Sequence, residues 1–100
     1  MGEGLPFLLW RISHGLRATM KEKTFRDIFC DHFWITTSGF FSDPALLCCM
    51  MEMGIDRILF SVDYPFVDNL PGAKWLETLP LCAADQEKLL SGNAKRLLKM

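Results

Sequence analysis

The stretch Arg57-Ile58-Leu59-Phe60-Ser61-Val62-Asp63-Tyr64-Pro65 decides the fold class. Six residues that are mostly apolar and β-prone end abruptly on a carboxylate and a proline. A run with no polar alternation predicts a strand buried on both faces, the habit of parallel sheets. Upstream, Phe33-Trp34-Ile35-Thr36-Thr37 is rich in aromatic and β-branched residues and stops at Ser38-Gly39, which predicts a second strand. Between the two, Ser42-Asp43-Pro44 is a helix-start signal, and the apolar residues 45–53 continue it until Gly54. Strands separated by a helix cannot pair as a hairpin, so the sheet is expected to be parallel with a right-handed crossover.

Working outward, Pro6 suits the first position of a helix, which the pattern extends over residues 6–20, apolar at its start and polar at its end. Residues 24–31 read as a mixed connector. Helices are expected over residues 72–79 and 84–90, the latter stopped near Ser91-Gly92, with a last helical segment over 93–98. The order is helix, strand, helix, strand, helix, helix. Two parallel strands do not make a sheet that covers itself, so the pattern belongs to something larger.

Composition sharpens this. Among 100 residues 50% are hydrophobic, and mean hydropathy is +0.15. A domain of this length buries only about 60–65% of its unfolded surface, so an apolar load this heavy points to a partner surface or a missing piece. Two domains are excluded by length. The 11 Lys+Arg against 12 Asp+Glu leave a net charge of −1, with no basic field for nucleic acid. The longest apolar run, residues 45–51, is too short to span a membrane, and no basic leader or cleavage site precedes the apolar start. A cytoplasmic protein is therefore expected. Cys30, Cys48, Cys49 and Cys82 lack both C-x-x-C and zinc-finger spacing, and are expected to be reduced, mostly buried thiols. Met50, Met51 and Met53 read as core packing.

In parallel α/β folds, function gathers at the carboxyl ends of strands. That rule picks out Asp63, either as an Asp closing a turn before proline or as a metal ligand or proton-transfer carboxylate. Glu3, between two glycines ahead of a helix, is favoured there by the helix dipole alone or serves a site. His32 falls at the amino-terminal end of its strand, away from Asp63, and His14 lies on a helix; both read as structural. Arg11, in the apolar half of its helix, either snorkels past the core or meets a carboxylate.

Four blocks in order, Met1-Gly2-Glu3-Gly4-Leu5-Pro6-Phe7-Leu8-Leu9-Trp10-Arg11-Ile12, Ile35-Thr36-Thr37-Ser38-Gly39, Asp56-Arg57-Ile58-Leu59-Phe60-Ser61-Val62-Asp63-Tyr64-Pro65-Phe66 and Gly92-Asn93-Ala94-Lys95-Arg96-Leu97-Leu98, resemble the carboxyl-terminal third of the amidohydrolase-related (amidohydrolase 2) family. The resemblance is to its branch of γ-resorcylate and 2,3-dihydroxybenzoate decarboxylases, related to aminocarboxymuconate-semialdehyde decarboxylase. It implies that residues 1–100 are the C-terminal fragment of a (β/α)8 TIM-barrel domain. By resemblance, Asp63 ends the eighth strand, binds a divalent metal (zinc or manganese) and delivers the proton to the ring carbon. Glu3 matches the Glu beside an active-site His, which is expected immediately before Met1. Arg11 matches an Arg that binds substrate carboxylate in a neighbouring subunit, and Phe66 an aromatic lining the pocket.

The implied reaction is redox-neutral decarboxylation of a small hydroxybenzoate-type aromatic acid by a homo-oligomer, a dimer or tetramer. The family's first-strand acidic residue and His and its mid-chain His have no counterpart in these residues. Phe40 and Ser13 stand where the family often has Asn and Asp. The chain alone is accordingly expected to be inactive, its chemistry belonging to a complete barrel. The alternatives are a metal-dependent hydrolase of the same superfamily and a non-catalytic interaction or dimerisation module.

Overall fold

A computed structural model describes residues 4–100. Strands β1 (Ile35–Thr36) and β2 (Ile58–Leu59) pair in parallel, Ile35 opposite Ile58 and Thr36 opposite Leu59. The regular ladder is shorter than the expected strands, for reasons that lie at its carboxyl end. Around it stand helices α1 (Gly4–Leu16), α2 (Phe25–His32), α3 (Asp43–Met53), α4 (Asn69–Glu77), α5 (Ala83–Glu87) and α6 (Asn93–Leu98). The core is Leu9, Phe29, Ile35, Leu46, Cys49, Ile58, Leu79 and Leu89, drawn from α1, α2, α3, both strands and the segments on either side of α5. No helix among the described residues is long and apolar enough to cross a membrane.

Several expectations need correction. Helix α1 starts at Gly4 and ends at Leu16, whose carbonyl accepts the Thr19 and Met20 amides at 3.0 and 2.9 Å. Gly15 weakens the continuation. Pro6 sits in the first turn but not at its first position, still where an absent N–H costs no intrahelical bond.

The supposed connector at 24–31 contains α2. Thr24 Oγ1 accepts the Asp27 amide at 3.1 Å and Asp27 accepts the Thr24 amide at 3.2 Å, a reciprocal cap. The bonds from Thr24 hold the Asp27 carboxyl below the usual range. Phe25, Phe29 and Phe33 follow at helical spacing, with Phe29 and Phe33 stacked at 4.7 Å. Arg26 ties this helix inward: its amide donates to Ser13 Oγ at 3.0 Å, and its Nε to Glu52 at 2.8 Å, a bond that raises its pKa.

Helix α4 begins at Asn69, earlier than expected, and its buried Gly72 admits the Phe41 ring: a Cβ there would lie 2.9 Å from Phe41 Cζ. Ser91-Gly92 do not stop the helix that begins at Ala83. The chain widens into a π-turn over Lys88–Gly92 and continues as α6. The Leu89 carbonyl in that turn accepts the Phe60 amide at 3.1 Å, and buried Asn93 donates to the carbonyls of Ile55 (2.6 Å) and Ile58 (2.8 Å). The outer edge of β2 is thus closed by α6 and the turn before it.

The four cysteines are free thiols, but Cys82 is exposed and only Cys49 is fully buried; burial pushes the Cys30 thiol up. Met50 and Met53 pack on the core, whereas Met51 is exposed.

Candidate active site at the carboxyl end of the sheet

Beyond β1 and β2 the two chains stay joined by an unusual set of bonds. Thr37 N donates to the Leu59 carbonyl at 3.0 Å, an in-register rung just beyond the regular strands. The Thr37 carbonyl then accepts the Phe40 amide at 2.9 Å, closing a turn over residues 37–40. Its buried hydroxyl takes over the pairing, accepting Ser61 N at 2.9 Å and donating to the Ser61 carbonyl at 2.6 Å. Gly39 N donates to that carbonyl at 3.2 Å and Ser38 N to Ser61 Oγ at 2.9 Å. Every polar atom of Ser61 is therefore held by residues 37–39. Ser38 (φ 45°) and Gly39 (φ 83°) are both left-handed. At Gly39 a Cβ would also meet Val67 Cγ2 at 2.8 Å and the Val62 carbonyl at 2.9 Å, so only glycine fits.

Asp63 follows two residues after Ser61, itself left-handed at φ 69°, a conformation an Asp tolerates better than most side chains. Its carbonyl accepts the amides of Phe66 (3.0 Å) and Val67 (3.1 Å), so the residue opens a turn. Its carboxylate is exposed and takes no hydrogen bond from the described residues. Asp63 opens the turn through its main chain alone, and its carboxylate caps no group among the described residues.

The structure brings Asp63 and Phe66 into one turn, with Tyr64 and Phe66 largely exposed. Arg11 lies on α1, exposed and without a carboxylate partner among the described residues. Glu3 lies outside the described residues. His32 ends α2 on the amino-terminal side of β1, and His14 stacks on Trp10 at 5.0 Å between ring centres. Ser13 serves α2, as described above, and Phe40 is half exposed. Thr37, Ser38, Gly39 and Ser61, which order the site, were not singled out by sequence. Their signals are a cluster of small hydroxyl residues and glycine at the ends of both strands and their place in two of the four blocks quoted above.

Among the described residues no three His, Cys, Asp or Glu converge as a metal site. Such sites take three or four protein ligands, so Asp63 fits as one ligand and not as a site.

A parallel sheet flanked by helices, with an exposed carboxylate beyond a strand's carboxyl end, is the arrangement of α/β enzymes, barrel or doubly wound. The amidohydrolase family model matches residues 9–100, and the chain belongs to that family. It is 42% identical over 106 residues to a gamma-resorcylate decarboxylase from Polaromonas sp., covering 100% of this chain and 32% of the relative. Among solved structures, 2,6-dihydroxybenzoate decarboxylase complexed with 2,6-dihydroxybenzoate superposes with a TM-score of 0.89 at 38% identity, covering 99% of this chain and 32% of that one. A dihydroxybenzoic acid decarboxylase from Polaromonas sp. with bound manganese and 2-nitroresorcinol gives 0.87 at 38% identity, covering 98% and 31%. The chain thus spans about one third of the length of the relatives it matches.

Proposed function

We propose that this chain supplies the carboxyl-terminal third of the barrel of a divalent-metal-dependent, non-oxidative decarboxylase acting on hydroxybenzoate-type aromatic acids. The observation that carries the reading is Asp63: an exposed carboxylate without a partner among the described residues, on a tightly held turn beyond β2, in a chain 42% identical to a gamma-resorcylate decarboxylase. In a complete barrel Asp63 would help to hold a divalent ion, manganese or zinc, which would supply Lewis-acid charge for an ortho-hydroxylated aromatic carboxylate. Asp63 is one ligand and holds the proton that passes to the ring carbon bearing the carboxylate. The C–H bond forms, the C–C bond to the carboxylate breaks, and CO2 leaves as its bonding pair returns to the ring. Phe66 lines the pocket beside it, and Arg11, exposed on α1, meets substrate carboxylate across a subunit interface. Glu3 orients a histidine contributed from outside this chain.

The test joins this chain to the remaining two thirds of the Polaromonas relative. The assembled barrel is expected to bind one manganese ion and release CO2 from 2,6-dihydroxybenzoate, and Asp63→Asn to lose that release. The 100-residue chain alone is expected to bind less than one tight ion and release none. A stoichiometric ion on the isolated chain, or full activity in the Asp63→Asn barrel, would overturn the reading.

A second reading, a non-catalytic module that docks on a full-length paralogue, draws on the exposed Phe7 (78%) and Trp10 (69%) of α1. Co-purification with that paralogue supports it; a well-behaved isolated monomer counts against it.

A further inference from the structure

We infer that Thr37 is a positioning residue for Asp63, with its hydroxyl standing in for its own carbonyl in the sheet ladder. The inference rests on the reading of Asp63 as the reacting carboxylate. In an uninterrupted parallel ladder the Ser61 amide would find the Thr37 carbonyl. Here that carbonyl is turned away to the Phe40 amide, and the hydroxyl receives Ser61 N at 2.9 Å while donating back to the Ser61 carbonyl at 2.6 Å.

The exchange does two things at once. It lets the first chain turn at Ser38-Gly39, and it keeps the second chain straight up to the residue before Val62. Gly39 then lies against the Val62 carbonyl and the Val67 side chain, the two residues that bracket the 63–66 turn. Asp63 is thereby gripped on both sides, which is how a non-glycine residue is kept in a left-handed conformation. A valine at 37 has nearly the same shape and cannot accept the Ser61 amide, so that buried N–H is left unpaired. A serine keeps the exchange.

The experiment uses the full 100-residue chain and reads Asp63 geometry directly, as the intense intraresidue amide-to-α-proton NOE that a positive φ produces. Wild type and Thr37→Ser are expected to show it, and Thr37→Val to lose it. Ile35→Val, a core change in the same strand, is expected to lower the denaturation midpoint and keep the NOE, which separates positioning from general stability. If Thr37→Val does not fold, Thr37→Ala, which removes the same hydroxyl without added bulk, is expected to weaken the NOE. Thr37→Val that retains the signal, Thr37→Ser that loses it, an Ile35→Val loss, or, in the fallback, an undiminished Thr37→Ala signal overturns the inference. The two readings fail separately: an active Asp63→Asn barrel would sink the chemical role and leave this geometry intact.

Discussion

The two ends of strand β2 are built on opposite plans. At the amino end Asp56 is paired with Lys88 at 3.0 Å and Arg96 at 3.7 Å, Arg57 stands over the Trp34 ring at 4.9 Å, and buried Asn93 satisfies two strand carbonyls. Charges there have partners. At the carboxyl end the backbone is held as firmly, by Thr37, Ser38, Gly39 and Ser61, yet the side chains it presents, Asp63, Tyr64 and Phe66, are exposed. A closed base with satisfied groups is what stability selects. A hydrogen-bonded backbone presenting a carboxylate without a protein partner among the described residues is the arrangement suited to a site.

This contrast predicts that substitutions at the base cost stability and those at the top cost less. The largest effect is expected for Ile58→Ala, which empties a site that is 2% exposed and should cost about 3–4 kcal/mol, read as a lowered urea midpoint. Asn93→Ala, leaving the Ile55 and Ile58 carbonyls without their donor, should cost about 2–3 kcal/mol by the same measurement. Thr37→Val should cost about 1–2 kcal/mol, less than either base substitution; a larger loss than Asn93→Ala would break the distinction.

Asp56 gives the smallest effect. The hydrogen bond from Lys88, followed by the charges of Lys88 and then Arg96, holds its carboxyl below the usual value. A carboxyl depressed in the folded state stabilises it above the unfolded value of about 3.9, and this contribution is lost as pH falls through the lower folded value. Because the pair is exposed, Asp56→Asn should cost about 0.5 kcal/mol at neutral pH and in low salt, vanishing in acid. A cost that persists in acid would contradict the assignment to charge pairing.

What the sequence disclosed follows the same division. The parallel sheet was legible because residues 57–62 carry no polar alternation, and the position of Asp63 because a carboxylate and proline end that run. Helix α2 was not, since its cap uses Asp27 where the common box has Glu or Gln. The passage of the last helix through Ser91-Gly92 was hidden because the partner of the widened turn, the Phe60 amide, lies far away in sequence. The Thr37–Ser61 exchange depends on strand register, which neither strand specifies locally.

Asp56 and Asp63 are both exposed aspartates at opposite ends of one strand, so they test the central claim side by side. The decisive measurement is CO2 release from 2,6-dihydroxybenzoate by the barrel assembled from this chain and the rest of the Polaromonas relative. Asp56→Asn is predicted to leave the rate unchanged and Asp63→Asn to abolish it. Equal rates in the two variants, or a loss confined to Asp56→Asn, would contradict the account.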